Sequence, residues 1–171
     1  LWTPARFREA VDAGIFDDVK KVELVRGRLV ATMVEDWPHY NVASNVKEAL
    51  QPLLPGFFVE RELTVDAGDS LLVPDVLVTR GTRKSRSKLP RLGEILLAIE
   101  VADTTLRRDR RLKAPVYTAA GVVIWVVDVR RRQVEAYAGT SAPTVHGVED
   151  SIPVRIDGVV FGEIRVRELF D

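Results

Sequence analysis

The 171 residues include 25 Lys and Arg against 25 Asp and Glu, so the formal net charge is zero and no global field draws the chain toward nucleic acid or a membrane. Cysteine is absent, which removes disulfides, thiolate nucleophiles and cysteine-ligated zinc together. With 46% hydrophobic residues and no apolar run near the ~18 residues that span a bilayer, the composition predicts one soluble, cytoplasmic domain with a sizeable core. Residues 1–20 carry no signal-peptide pattern, and the opening Leu1 in place of methionine points to residues that precede it.

In chain order, Thr3-Pro4 reads as the cap and first residue of a short helix with Phe7, Ala10 and Val11 on one face, ended by Gly14. VELVRGRLVATM, residues 22–33, reads as a hairpin turning at Arg26-Gly27, with Glu23 on its first strand. Pro38 opens a longer helix whose Val42, Val46, Ala49, Leu50 and Leu53 recur at helical spacing up to Pro55-Gly56. FFVERELTV (57–65) and LLVPDVLVT (71–79) flank Asp66-Ala67-Gly68-Asp69 as a second hairpin, in which Pro74 predicts a sheet edge or a bulge. RGTRKSRSKLPR, residues 80–91, is a basic loop. ILLAIEVA (95–102) reads as a strand buried on both faces, 105–120 as a helix capped by Gly121 and kinked by Pro115, and VVIWVVD (122–128) as a second apolar strand. Strand, helix and strand in that order predict a right-handed βαβ unit. QVEAYA (133–138) follows as an outer strand, and one strand with a short helix closes the chain over about residues 152–170.

Three residues call for a chemical account. Glu100 interrupts an apolar strand, Asp75 follows Pro74 at the head of another, and Lys113 lies in the helix after Glu100. Each has a plain alternative: a solvated strand exit paired to an arginine, a turn residue, and an exposed helix lysine. Two acids set in neighbouring apolar strands favour a joint role, because burial raises a carboxyl pKa whereas a bound divalent cation keeps a pair ionised. Without cysteine and with only two histidines, the ion that suits them is hard and oxygen-ligated, Mg²⁺ or Mn²⁺. Such an ion polarises a phosphoryl oxygen and acidifies bound water, while an ammonium steadies developing charge, which is the chemistry of phosphodiester hydrolysis.

Pro74-Asp75, Glu100-Val101 and a lysine displaced into the next helix resemble the PD-(D/E)XK nuclease superfamily. More closely, VELVRGRLV (22–30), PHYNVASNV (38–46), PDVLV (74–78) and AIEVADTTLRRDRRLKAPVYTAAGVVIWVVDV (98–129) resemble, in order and spacing, the Uma-two family of "putative restriction endonucleases". The resemblance implies a single nuclease-like domain over residues 1–171, of α/β class and restriction-endonuclease-like, with a central mixed β-sheet flanked by α-helices. It implies a divalent-metal-dependent endonuclease acting on DNA, with Asp75 and Glu100 as Mg²⁺ or Mn²⁺ ligands and Lys113 as the displaced catalytic lysine. Glu23 matches a family glutamate near the same site or reads as an exposed hairpin acid, His39 matches a family histidine at the start of the long helix or reads as part of its cap, and the resemblance points to a homodimer. Ala102 stands where the superfamily's basic form has its lysine, and Val73 where the family often has another acid.

Asp109, Lys113 and Tyr117, four apart, fall on one helix face, with Tyr117 read as core. Arg80, Arg83, Lys84, Arg86, Lys88 and Arg91 of the basic loop, and Arg107, Arg108, Arg110 and Arg111 at the head of the helix, read either as a phosphate-contacting surface flanking the site or as solvated charge. Arg130, Arg131 and Arg132 read as a solvated turn, and no motif for base-specific readout is present. Two other readings stand beside the enzyme. One is a catalytically inactive nuclease-like module that binds nucleic acid or protein, and the other an oligomer pairing through the VVIWVVD strand as a sheet edge.

Overall fold

The apolar runs at 95–102 and 123–128 become neighbouring parallel strands at the heart of a six-stranded mixed sheet. The structure, a computed structural model, describes residues 1–19, 21–32 and 36–171. In chain order it contains α1 (Pro4–Asp12), β1 (Lys21–Val25), β2 (Arg28–Thr32), α2 (Trp37–Leu53), β3 (Phe57–Arg61), β4 (Val65–Asp66), β5 (Leu71–Leu72) and β6 (Val76–Arg80). There follow β7 (Ile95–Ala102), α3 (Leu106–Arg108), a π-helical turn (Asp109–Lys113), α4 (Ala114–Ala119), β8 (Val123–Asp128), β9 (Gln133–Tyr137), β10 (Thr144–His146), β11 (Ser151–Ile156) and β12 (Val159–Arg165). The main sheet has the order β10-β9-β8-β7-β6-β3, and a small sheet the order β2-β1-β5-β4. Among the described strands of the main sheet only the β7–β8 pair is parallel, and the helical crossover joins those two strands, as the βαβ reading requires.

Both faces of the main sheet are covered. Leu97, Ile99 and Val101 of β7 join Trp125 and Val127 of β8 against Val42, Val46 and Leu50 of α2 and the apolar residues of β11 and β12. Ala98 and Ala102, with Ile124 and Val126, pack on the opposite face against Val116 and Tyr117 of α4 and Val25, Val65 and Leu72 of the small sheet. Glu100 falls in step with Ala98 and Ala102, so strand alternation alone turns it toward α4. Under α1, Phe7 packs on Leu24 and Leu71, the far face of the small sheet.

The second hairpin does not run as one ladder. Its base, β3 with β6, belongs to the main sheet, and its tip, β4 with β5, belongs to the small one. The break falls just past Glu62, whose φ is 51° and whose N–H donates to Asp75 O, because Pro74, next along the other strand, has no N–H to continue the pairing. Pro74 therefore marks an interruption, and β6 is an interior strand between β3 and β7. Likewise, Pro115 does not sit in the middle of a continuous helix: a wide π turn precedes it and it falls on the first turn of α4, where its missing N–H costs little. Gly121 caps α4 as anticipated, with φ 76° and Val122 N donating to Tyr117 O at 3.0 Å.

Several expectations need correction. The 122–128 segment is paired on both sides, so it offers no edge for an oligomer. The outer strand is β10, beyond β9, and a hairpin turning at Asp157-Gly158 (φ 50° and 81°) joins two strands where one was read, before the short closing helix anticipated, a 3-10 turn at Val166–Leu169. Val11 is exposed because the inward face of α1 is filled by Phe7 and Ala10. Met33, assigned to the first hairpin, lies outside the described residues, while the Arg26-Gly27 turn forms with φ 47° and 74°.

Leu50 is wholly buried between α2 and the main sheet. Leu50→Ala should cost about 2–5 kcal/mol through lost contacts and a residual cavity, read as a lowered urea midpoint with an unchanged slope.

Candidate active site

Four segments far apart in sequence meet on the α4 face of the main sheet. β1 alternates so that Val22 and Leu24 pack toward α1 while Lys21, Glu23 and Val25 face the main sheet. Glu23 arrives fully buried, its Oε1 accepting from Val73 N at 2.6 Å. Asp75 sits just past the break in the hairpin, where its Oδ2 accepts from Val101 N of β7 at 2.7 Å. The interruption at Pro74 thus leaves a strand N–H that the acid satisfies, and this presses Asp75 against the residue that follows Glu100. Lys113 ends the π turn and lies 2.8 Å from Glu100 Oε2 and 2.7 Å from Glu23 Oε2. The first contact is a hydrogen bond; the second has the distance of an ion pair without hydrogen-bond alignment, which leaves Glu23 Oε2 buried with no donor. Tyr117, one turn on, points its hydroxyl at Glu100 Oε1 from 3.4 Å.

Glu23, Asp75, Glu100 and Lys113 are therefore one cluster, and Lys113 reaches the acid although Ala102 holds the strand position. Two further groups complete it. His39 is more than a helix-capping residue: Asp36 caps α2 by accepting from His39 N, and the imidazole Nε2 lies 3.3 Å from Asp75 Oδ2. Lys21, which sequence reasoning overlooked, places Nζ 3.3 Å from Asp75 Oδ1. The signal was the Lys21-x-Glu23 spacing, which puts both on one strand face. Asp109, the other acid on the helix face, is buried, accepting from Thr105 Oγ1 at 2.5 Å.

Four buried carboxylates (Glu23, Asp75, Glu100 and Asp109) thus share two lysines, with His39 on Asp75 and Arg108 3.5 Å from Asp109. Burial pushes the Glu100 carboxyl well above its usual range; Lys113 pulls it back, while Asp75, Glu23 and Asp109 push further. Burial also raises Asp109. Burial opposes charge on Lys113, yet the surrounding carboxylates, Glu100 and Glu23 foremost, hold its pKa above the ordinary lysine value. Asp75 is the exception: burial would raise it, but the His39 hydrogen bond and the Lys21 charge keep it below the usual carboxylate range. Tyr117 is raised well above its normal value by burial and by Glu100, so its hydroxyl keeps its proton and can donate.

Excess buried anionic oxygen suits a hard divalent cation. Among the described residues no three of His, Cys, Asp and Glu gather at metal-ligand spacing. What the chain offers is a carboxylate pair, Asp75 and Glu100, beside Glu23 Oε2, which is ion-paired to Lys113 but accepts no hydrogen bond. This fits Mg²⁺, which commonly takes one or two carboxylates and fills its other positions with water and substrate oxygen.

The two basic segments part company. The 80–91 loop leaves the end of β6 farthest from Asp75, five residues or about 16 Å along the strand, and enters the end of β7 farthest from Glu100. It does not flank the acids, because β6 and β7 are antiparallel and the loop joins their opposite ends. Arg80 pairs with Asp157, and Arg86 donates to Thr79 Oγ1 beneath the Phe58 ring, whereas Arg83, Lys84 and Lys88 are exposed. Arg107 and Arg108 begin α3 just beyond β7, on the acid side; Arg107 is exposed and Arg108 donates to Ala31 O at 3.4 Å. Arg110 is engaged by Glu135.

Lys113→Ala should lower stability by about 3–5 kcal/mol at neutral pH by stranding Glu23 and Glu100, with the loss shrinking at pH 5 as Glu100, raised by burial, takes up a proton; urea titrations at the two values test this. In metal-free wild-type protein, stability should rise as pH falls from neutrality toward 4.5, because the folded state binds a proton at Glu100 before the unfolded chain does. Below about 3.8 it should fall as the contribution of Asp75 is lost. Glu100→Gln should flatten the rise and Asp75→Asn the fall.

Comparison with known proteins agrees with this architecture. The family Uma2, described as "Putative restriction endonuclease", matches residues 8–154. A solved structure titled a "putative nuclease belonging to DUF820" from Anabaena variabilis superposes with a TM-score of 0.69 over 87% of this chain and 89% of that one, at 18% sequence identity. No curated protein matches the sequence. With a match across most of its length and a nuclease-like α/β fold, the chain belongs to the Uma2 family.

Proposed function

We propose that the protein is a Mg²⁺- or Mn²⁺-dependent endonuclease of PD-(D/E)XK type that hydrolyses phosphodiester bonds of DNA. The observation that carries this reading is the convergence of a buried ammonium, Lys113, on Glu100 and Glu23, with Asp75 bound to the main chain one residue beyond Glu100. Family membership supports the nuclease class.

Asp75 and Glu100 would hold the cation, which when bound supplies Lewis acidity toward a phosphoryl oxygen and toward water. Each remaining task belongs to the chain. Lys113 is held charged, so it acts as a fixed cation that orients a nucleophilic water and steadies charge on the phosphorane, and does not serve as a base. Glu23 and Glu100 fix the position of its Nζ, and Tyr117 fixes Glu100 from the other oxygen. Lys21 and His39 keep Asp75 ionised and oriented. Arg107, exposed at the head of α3, and Arg108, once released from Ala31 O, would meet flanking phosphates.

The same ion pairs favour one second reading, a nuclease-like module that binds nucleic acid without cutting, because Lys113 is fully engaged by carboxylates. Incubation with labelled DNA separates the two. Cleavage should appear with Mg²⁺ or Mn²⁺, vanish in EDTA, and fall on the order of 100-fold or more in Asp75→Asn, Glu100→Gln and Lys113→Met. Cleavage that persists in EDTA, or that ignores all three changes, rules the enzyme out as drawn, and binding without turnover selects the module.

A further inference from the structure

Beside the acid site stands a group of side chains that the chemistry above does not use. Trp37 and Tyr40, on the first turn of α2, stack with ring centroids 5.7 Å apart and planes inclined by 27°. The Arg61 guanidinium lies 4.6 Å from the centre of the Tyr40 ring. Although these rings already contact one another, Trp37 is 72% exposed and Tyr40 46%. A large indole set at a helix start and left mostly in water adds little to the core, so its position wants another explanation.

The surroundings supply one. His39 lies between the two aromatics in sequence and touches Asp75, so the stack is within one helical turn, about 5 Å of rise, of a residue in contact with the candidate metal ligand. Arg61 pairs across the ladder with Val76, the residue after Asp75, and Glu62 N donates to Asp75 O. The stack thus lies at the end of α2 whose His39 touches Asp75, and Arg107 and Arg108 stand at the head of the helical crossover that carries Lys113.

Open aromatic planes backed by a guanidinium are what a nucleobase stacks on, provided the base is not already stacked within a duplex. We propose that Trp37, supported by Tyr40 and Arg61, is a stacking shelf for an unpaired base, so that the site takes single-stranded or frayed nucleic acid in preference to continuous duplex. The proposal rests on the nuclease reading for the identity of the polymer. The shelf makes no hydrogen bonds that separate one base from another, so it selects for strandedness and is indifferent to sequence.

The test uses the full chain, a fluorescent oligothymidylate and a blunt duplex of equal length, with binding followed by anisotropy in EDTA so that nothing is cut. The single strand should bind more tightly than the duplex. Trp37→Ala should weaken single-strand binding on the order of ten-fold or more, Trp37→Phe by clearly less, and duplex binding should change by no more than about two-fold. Trp37 is exposed, so thermal unfolding of these variants should match wild type. In Mg²⁺, the single strand should also be the better substrate. The proposal is overturned if Trp37→Ala binds the single strand like wild type, if it weakens duplex equally, or if neither polymer binds, in which case the stack serves another partner such as a protein. Single-strand binding that depends on Trp37, without cleavage in Mg²⁺ or Mn²⁺, would leave the shelf standing and remove the nuclease reading.

Discussion

A single buried ammonium ties this molecule together. Lys113 Nζ lies between Glu23 of the small sheet and Glu100 of the main sheet, and it is itself carried by the crossover helix. Three layers that touch mainly through apolar contacts are therefore also held by charge at a buried point where solvent screens little. Apolar packing is broadly tolerant of side-chain exchange, whereas a desolvated ion pair requires its partners to be in register. The geometry of the layers and the geometry of the site are in this sense the same property.

The arrangement also explains why the helix bearing Lys113 is irregular. A continuous α-helix through Pro115 would lose a hydrogen bond and clash with the preceding turn. The π turn over Asp109–Lys113 accommodates the proline while keeping Asp109, Lys113 and Tyr117 all buried toward Glu100. Local widening of a helix is a common device where side chains must converge on a site. The small residues Ala98 and Ala102 on either side of Glu100 leave room beneath for the long side chains that meet it.

Much of this was legible in the sequence because it depends on short periods. Alternation in ILLAIEVA, apolar spacing in residues 42–53, the Arg26-Gly27 turn and the Gly121 cap are local, and their physics is complete within a few residues. Asp75 and Glu100 stood out because ionisable groups inside apolar runs need a reason to be there, Lys113 because it follows them in the next helix, and Glu23 only through the family resemblance. Lys21 did not, since a lysine at the start of a strand looks solvated until Asp75 is folded against it. The basic loop was misplaced for a related reason: adjacency in the chain says nothing about which end of an antiparallel pair a connection joins. The split of the second hairpin between two sheets was equally hidden, because a proline signals an interruption without saying where the chain goes next.

The pairing of the strands has one more consequence. Lys21 and Glu23 on β1, Asp75 at the head of β6 and Glu100 on β7 all reach the site because each occupies the correct parity in its strand. Replacing a neighbour leaves that parity alone, but inserting or deleting one residue within a strand turns the acid to the opposite face and seats an aliphatic side chain in its place. Changes in chain length are therefore excluded from these strands, and only connections such as 67–70, 81–91 and 139–143 can absorb them. The protein can drift widely in composition while its strand lengths near the site stay fixed.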